Sequence, residues 1–198
     1  MGSKRRTQSR QAGSSEGGSR RAYIIVGLIA AVFVVGFAAL VIADVRQQGG
    51  SGPPGGVQTY DVGPANVHTE GDVVYAQSPP VGGEHNPIWQ NCGFYEEPVR
   101  DENAVHSLEH GAVWIAYSPN LPQDEIERLR DLAQSQTYLL VSPYPDLDYP
   151  VVASAWGKQV SLESAGDPDL ERFISTYNQG PQTPEPGAAC TGGVGQPV

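Results

Sequence analysis

Methionine is almost missing from this chain of 198 residues: it occurs once, at position 1, which excludes a thioether-based copper(I) site. Cysteine occurs twice, so at most one intrachain disulfide can form. Basic residues are scarce as well, 12 Lys and Arg against 22 Asp and Glu. Six of them (Lys4, Arg5, Arg6, Arg10, Arg20 and Arg21) fall within residues 1–22, opposed only by Glu16, which makes that segment +5 and everything after it −15. A body this acidic repels a phosphate backbone, and nucleic acid is excluded as a partner. The 24 Gly and 17 Pro stay below a low-complexity share, and three Trp, nine Tyr and several apolar runs argue against a wholly disordered chain. No internal repeat is visible. No Gly-rich segment has the strand–turn–helix setting and the Lys of a phosphate loop.

One long uncharged run is present. Tyr23 to Ala43 (YIIVGLIAAVFVVGFAALVIA) holds 21 residues without a charge, enough for a helix crossing about 30 Å of hydrocarbon. Arg20 and Arg21 flank one end and Asp44 the other, so the positive-inside tendency predicts a single-pass cell-membrane protein. Residues 1–22 form a basic cytoplasmic tail, 23–43 the transmembrane helix, and the rest is extracytoplasmic. A signal-peptide core spans only about 7–15 residues, so a retained anchor is expected, with cleavage after Ala43 as the alternative. Residues 44–58 are Gly/Pro-rich and read as a flexible stalk. An oxidising exterior favours pairing Cys92 with Cys190; free thiols, or Cys92 as a metal ligand, are the alternatives.

Residues 59–180 alternate apolar runs with turn chemistry, and 181–198 read as a Pro-rich tail. Strands are expected at Asp72–Ala76, Gly111–Tyr117, Thr137–Ser142, Val151–Ala155 and Lys158–Leu162, the last two flanking a turn at Trp156-Gly157. Gly111–Tyr117, apolar almost throughout, suits a buried central position. In Gln123–Gln136, Ile126, Leu129, Leu132 and Ala133 recur at helical spacing. Asp167-Pro168 opens a second helix that ends before Gly180. Val81 to Arg100 lacks periodicity and reads as a long loop, a length that is often functional. The fold expected is α+β: a small mixed sheet with two packed helices.

All four histidines, His68, His85, His106 and His110, fall within 43 residues. Histidine is the commonest metal ligand, so their clustering carries weight. His106 and His110 can share one ion only where the chain is helical or sharply turned, because four strand rises separate Cα atoms by about 13 Å. Asp101 is a cap for such a helix and Gly111 its C-terminal stop. His85 supplies a third ligand, with His68, Glu109 or Cys92 completing a set suited to copper or zinc. His106-x-x-Glu109-His110 also matches an inverted zincin pattern in which Glu109 is the base, with Glu185 as the only distant acid at comparable spacing. Trp89, Trp114 and Trp156 read as core anchors.

His68-Thr-Glu-Gly71, Val74-Tyr75, Pro79-Pro80-x-Gly-Gly-x-His85 and Trp89 together resemble the domain-of-unknown-function family numbered 3105. So do Cys92-Gly93-x-Tyr95, Val105-His106-x-Leu108-Glu109-His110-Gly111, Tyr117-x-Pro119 and Ala155-Trp156-Gly157. The resemblance spans roughly residues 60–180. It implies a membrane-anchored bacterial envelope domain organised around His68, His85, His106, Glu109 and His110. Where the family pattern reads Pro-Pro-Thr-Ser-Gly-x-His, this chain has Pro79 to His85 without either hydroxyl, so no role for those hydroxyls carries over.

The expectation is therefore a non-enzymatic envelope protein that binds copper or zinc through its histidines. The rivals are a structural or protein-interaction domain whose histidines make buried hydrogen bonds, and a metal-dependent hydrolase with Glu109 as base.

Overall fold

The structure is a computed structural model that describes residues 53–198. The basic tail, the apolar run 23–43 and most of the stalk lie outside the described residues. Among the described residues, no helix is long and apolar enough to cross a membrane.

Among the described residues nine elements follow one another: β1 (Gln58–Thr59), β2 (Gly93–Phe94), α1 (Asp101–Glu109), β3 (Val113–Tyr117), α2 (Gln123–Ser135), β4 (Leu139–Pro143), β5 (Val151–Ala155), β6 (Lys158–Leu162) and α3 (Pro168–Tyr177). The strands form one mixed sheet in the order β1-β6-β5-β3-β4-β2. β3 and β4 are parallel because α2 carries the chain back between them, the crossover that a parallel pair requires. β5 pairs antiparallel with β3 on its other side and forms a hairpin with β6 across Trp156-Gly157. β1 begins at Gln58, one residue before the domain boundary read from the sequence.

β3 is buried on both faces, and its alternation sorts the core into two halves. Val113, Ile115 and Tyr117 join Phe94, Leu129, Leu139, Val141, Val151 and Phe173 in the layer under α2 and α3. Trp114 and Ala116 point the other way, to Ala104, Val105 and Leu108 of α1 and to Tyr95, Leu140 and Trp156. The sheet thus carries three helices rather than the two expected. The third, α1, is the one that bears His106 and Glu109.

Two local expectations need correction. Asp72–Ala76 is not a strand, and Val74 is wholly exposed. Its neighbours' backbone groups are taken by side chains instead of a ladder: Arg100 Nη2 donates to the Glu70 and Gly71 carbonyls, and Glu102 Oε1 accepts from Val73 N. Asp101 does not cap α1. It is the first helical residue, Arg100 is the N-cap without a side-chain hydrogen bond, and the Asp101 carboxylate instead accepts from the Tyr144 hydroxyl. Gly111 does stop the helix, at φ +93°, a conformation that L side chains rarely adopt.

Residues 181–198 run back across the domain. Glu185 N donates to Glu109 O, Cys190 is joined to Cys92, Gly193 and Gly195 meet the Asn91 side chain, and Val198 N donates to Phe94 O on β2.

Candidate metal centre

Four side chains converge beside α1. His106 and Glu109 are three apart on the helix and share one face. His85 comes from the long loop, and His68 from a segment laid parallel to it: Thr69 N donates to His85 O, and His85 N donates to Val67 O. One donor atom from each of His68, His85, His106 and Glu109 lies within 4.8 Å of every other. The three imidazoles form a triangle with centroids 4.8, 4.9 and 5.1 Å apart.

The loop and helix fix the tautomers. His85 Nδ1 lies 2.7 Å from Gly83 O, and His106 Nδ1 lies 2.6 Å from Asn86 O. A carbonyl only accepts, so both Nδ1 atoms carry the proton and both Nε2 lone pairs face the cluster. Gly83 adopts φ +109°, a backbone conformation that glycine tolerates. His85 Nε2 nevertheless lies 3.0 Å from Glu109 Oε2. With Nδ1 already protonated, that contact sets a lone pair against a carboxylate oxygen unless positive charge stands there, as a second ring proton or as a metal ion. Glu109 Oε1 accepts from Asn66 N at 2.6 Å, and His68 Nε2 lies 3.8 Å from Oε2.

Burial divides the four unequally. His85 and Glu109 are fully buried and His106 nearly so, whereas the His68 side chain is 38% exposed. Burial, opposed in part by the Asn86 hydrogen bond, brings His106 down to about 4, so its ring is neutral at neutral pH. Burial pushes Glu109 up, but the contact with His85, the hydrogen bond from Asn66 N and the neighbouring imidazoles bring it below its ordinary range.

The other residues singled out in the sequence are not among these four. His110 is the C-cap of α1, not part of the helix. Its ring packs against His106 at 4.5 Å, but its Nδ1 lies 2.6 Å from Ala189 O and its Nε2 lies 3.6 Å from Glu185. Cys92 is in the disulfide with Cys190, their Cα atoms 5.4 Å apart, and is therefore not a metal ligand. Trp114 and Trp156 are buried in the core, whereas Trp89 is half-buried and lies against His106 and His110. Sequence reasoning missed Asn66, Gly83 and Asn86, which act through backbone groups and leave no side-chain signature.

Three clefts of about 480, 460 and 370 Å³ lie elsewhere: between α2 and the start of α3, beside the disulfide, and under Tyr149. None of the four converging residues lines them.

No curated protein and no solved structure matches the chain. A family model described as "Protein of unknown function (DUF3105)" matches residues 66–192, a stretch that contains all four converging residues and both cysteines, and the chain belongs to that family.

Proposed function

We propose that the domain binds one divalent transition-metal ion, zinc or copper(II), through His68, His85, His106 and Glu109, as a non-enzymatic metal-handling protein of the cell envelope. The observation that carries this reading is the convergence of His85 Nε2 on Glu109 Oε2 at 3.0 Å while His85 Nδ1 donates to a carbonyl. Ligand bonds of about 2.0–2.1 Å at tetrahedral angles set donor atoms about 3.3 Å apart, close to the spacing at this end of the cluster. Imidazole N–H groups donating to backbone carbonyls are the usual outer support of metal-bound histidine. Three imidazoles and one carboxylate suit zinc or copper(II) rather than calcium or a thiolate-loving ion.

Glu109 serves as a ligand here and not as a base: Oε1 is held by Asn66 N, and Oε2 faces the imidazoles where the ion would sit. In the same proposal the apolar run 23–43 tethers the domain outside the cell, and the Cys92–Cys190 disulfide supports an oxidising compartment.

The test is elemental analysis of the full chain, purified in detergent without a His tag. About one equivalent of zinc or copper is expected, lost in His106→Ala and kept in His110→Ala, with circular dichroism reporting the fold of each variant. No bound metal after reconstitution with Zn²⁺ and with Cu²⁺ would overturn the reading and leave a His85 imidazolium paired with Glu109.

A further inference from the structure

We propose that His68 is the exchangeable ligand of this centre: the ion enters and leaves past it, and a small monodentate nitrogen donor of the imidazole class can take its place. The inference rests on the metal reading above.

Two independent features single out His68. The first is access. His85 and Glu109 are sealed from solvent and His106 is 5% exposed, so the half-open His68 side chain forms the one solvent-facing wall among the four. The second is restraint. Swinging His106 away would break a buried hydrogen bond to Asn86 O, and moving His85 or Glu109 would break part-buried ones to Gly83 O and from Asn66 N. Leaving a buried polar group unpaired is costly. The His68 ring makes no hydrogen bond among the described residues; its segment is held by the backbone bonds of Val67 and Thr69 on either side.

The ring can therefore rotate about its side-chain torsions while the segment stays in place. In the exchange, the bond from His68 Nε2 to the ion breaks and the incoming nitrogen forms one. The oxidation state of the ion does not change, and three buried ligands keep it bound.

The experiment follows Zn²⁺ release from the loaded full chain to a colorimetric chelator. His68→Ala is expected to retain one equivalent but release it about 10–100-fold faster, the scale on which weakened ligand sets lose affinity. Millimolar imidazole should slow that release back toward the wild-type rate. It should do nothing for His106→Gln, whose missing ring leaves a sealed space. His68→Gln provides a second variant of the same position. Wild-type binding combined with complete loss in both His68 variants, or release that ignores imidazole, would overturn the exchange role and leave the metal reading standing. A wild-type chain that holds no Zn²⁺ would take both readings with it.

Discussion

Glu109 and His85, 24 residues apart in the chain, meet at 3.0 Å with neither side chain reachable by solvent. What stands between them decides how Glu109→Gln behaves. A glutamine Oε1 can still accept from Asn66 N, and its amide can donate to the His85 Nε2 lone pair. If a metal supplies the positive charge in the native protein, Glu109→Gln should lower metal affinity by tenfold or more while the metal-free chain keeps its stability within about 1 kcal/mol. If the native state is instead a buried imidazolium–carboxylate pair, the same change costs about 3–5 kcal/mol with no metal involved. Urea unfolding of metal-stripped wild type and Glu109→Gln separates the two.

The metal-stripped chain should also lose stability in acid, in a defined window. His106 titrates near 4 in the folded protein against 6.5 ordinarily, because burial favours its neutral ring. The stabilisation is complete above the ordinary value and is lost as pH falls from about 6.5 toward 4, on the order of 3 kcal/mol in all. Glu109, held below its ordinary range, adds a further loss at lower pH in the same direction. Urea midpoints of metal-free protein at pH 7.5 and pH 4.5 check this. Midpoints that do not move, or a His106→Gln chain with the same drop, would contradict it.

The Cys92–Cys190 link closes a loop of 98 residues and pins the stretch that carries Ala189 O onto the His110 ring. Closing a loop of that length is worth about 4–5 kcal/mol by chain entropy. Cys190→Ser, and wild type in excess dithiothreitol, should therefore melt at the same temperature, well below oxidised wild type. Equal melting with and without reductant would show that the backbone contacts of the tail suffice alone.

Much of this architecture was legible beforehand, because long elements carry their own periodicity. The alternation of β3, the hairpin across Trp156-Gly157, the 3.6-residue pattern of α2 and the Asp167-Pro168 start of α3 each announce themselves. β1 and β2 do not, since two residues hold no period. The Asp72–Ala76 run has strand composition, but Glu102, 29 residues away, takes its Val73 N–H, and Arg100 holds the Glu70 and Gly71 carbonyls just before it.

At the site, the spacing of His106 and His110 on a helix pointed to a shared ion. His110 falls on the cap with its ring against His106, but its Nδ1 lies at Ala189 O and its Nε2 near Glu185, while Glu109 is on the converging face. Clustering and the family pattern bring His68 into the candidate set, but the backbone bridge that lays it beside His85 has no side-chain signature.

Val198 donates to Phe94 on β2, the outermost strand at that end of the sheet. An uncovered strand flank is a template for a neighbouring polypeptide to zip onto, the usual first step of self-association. Val198 sits on that flank itself, so the fold carries its own guard against aggregation at this edge.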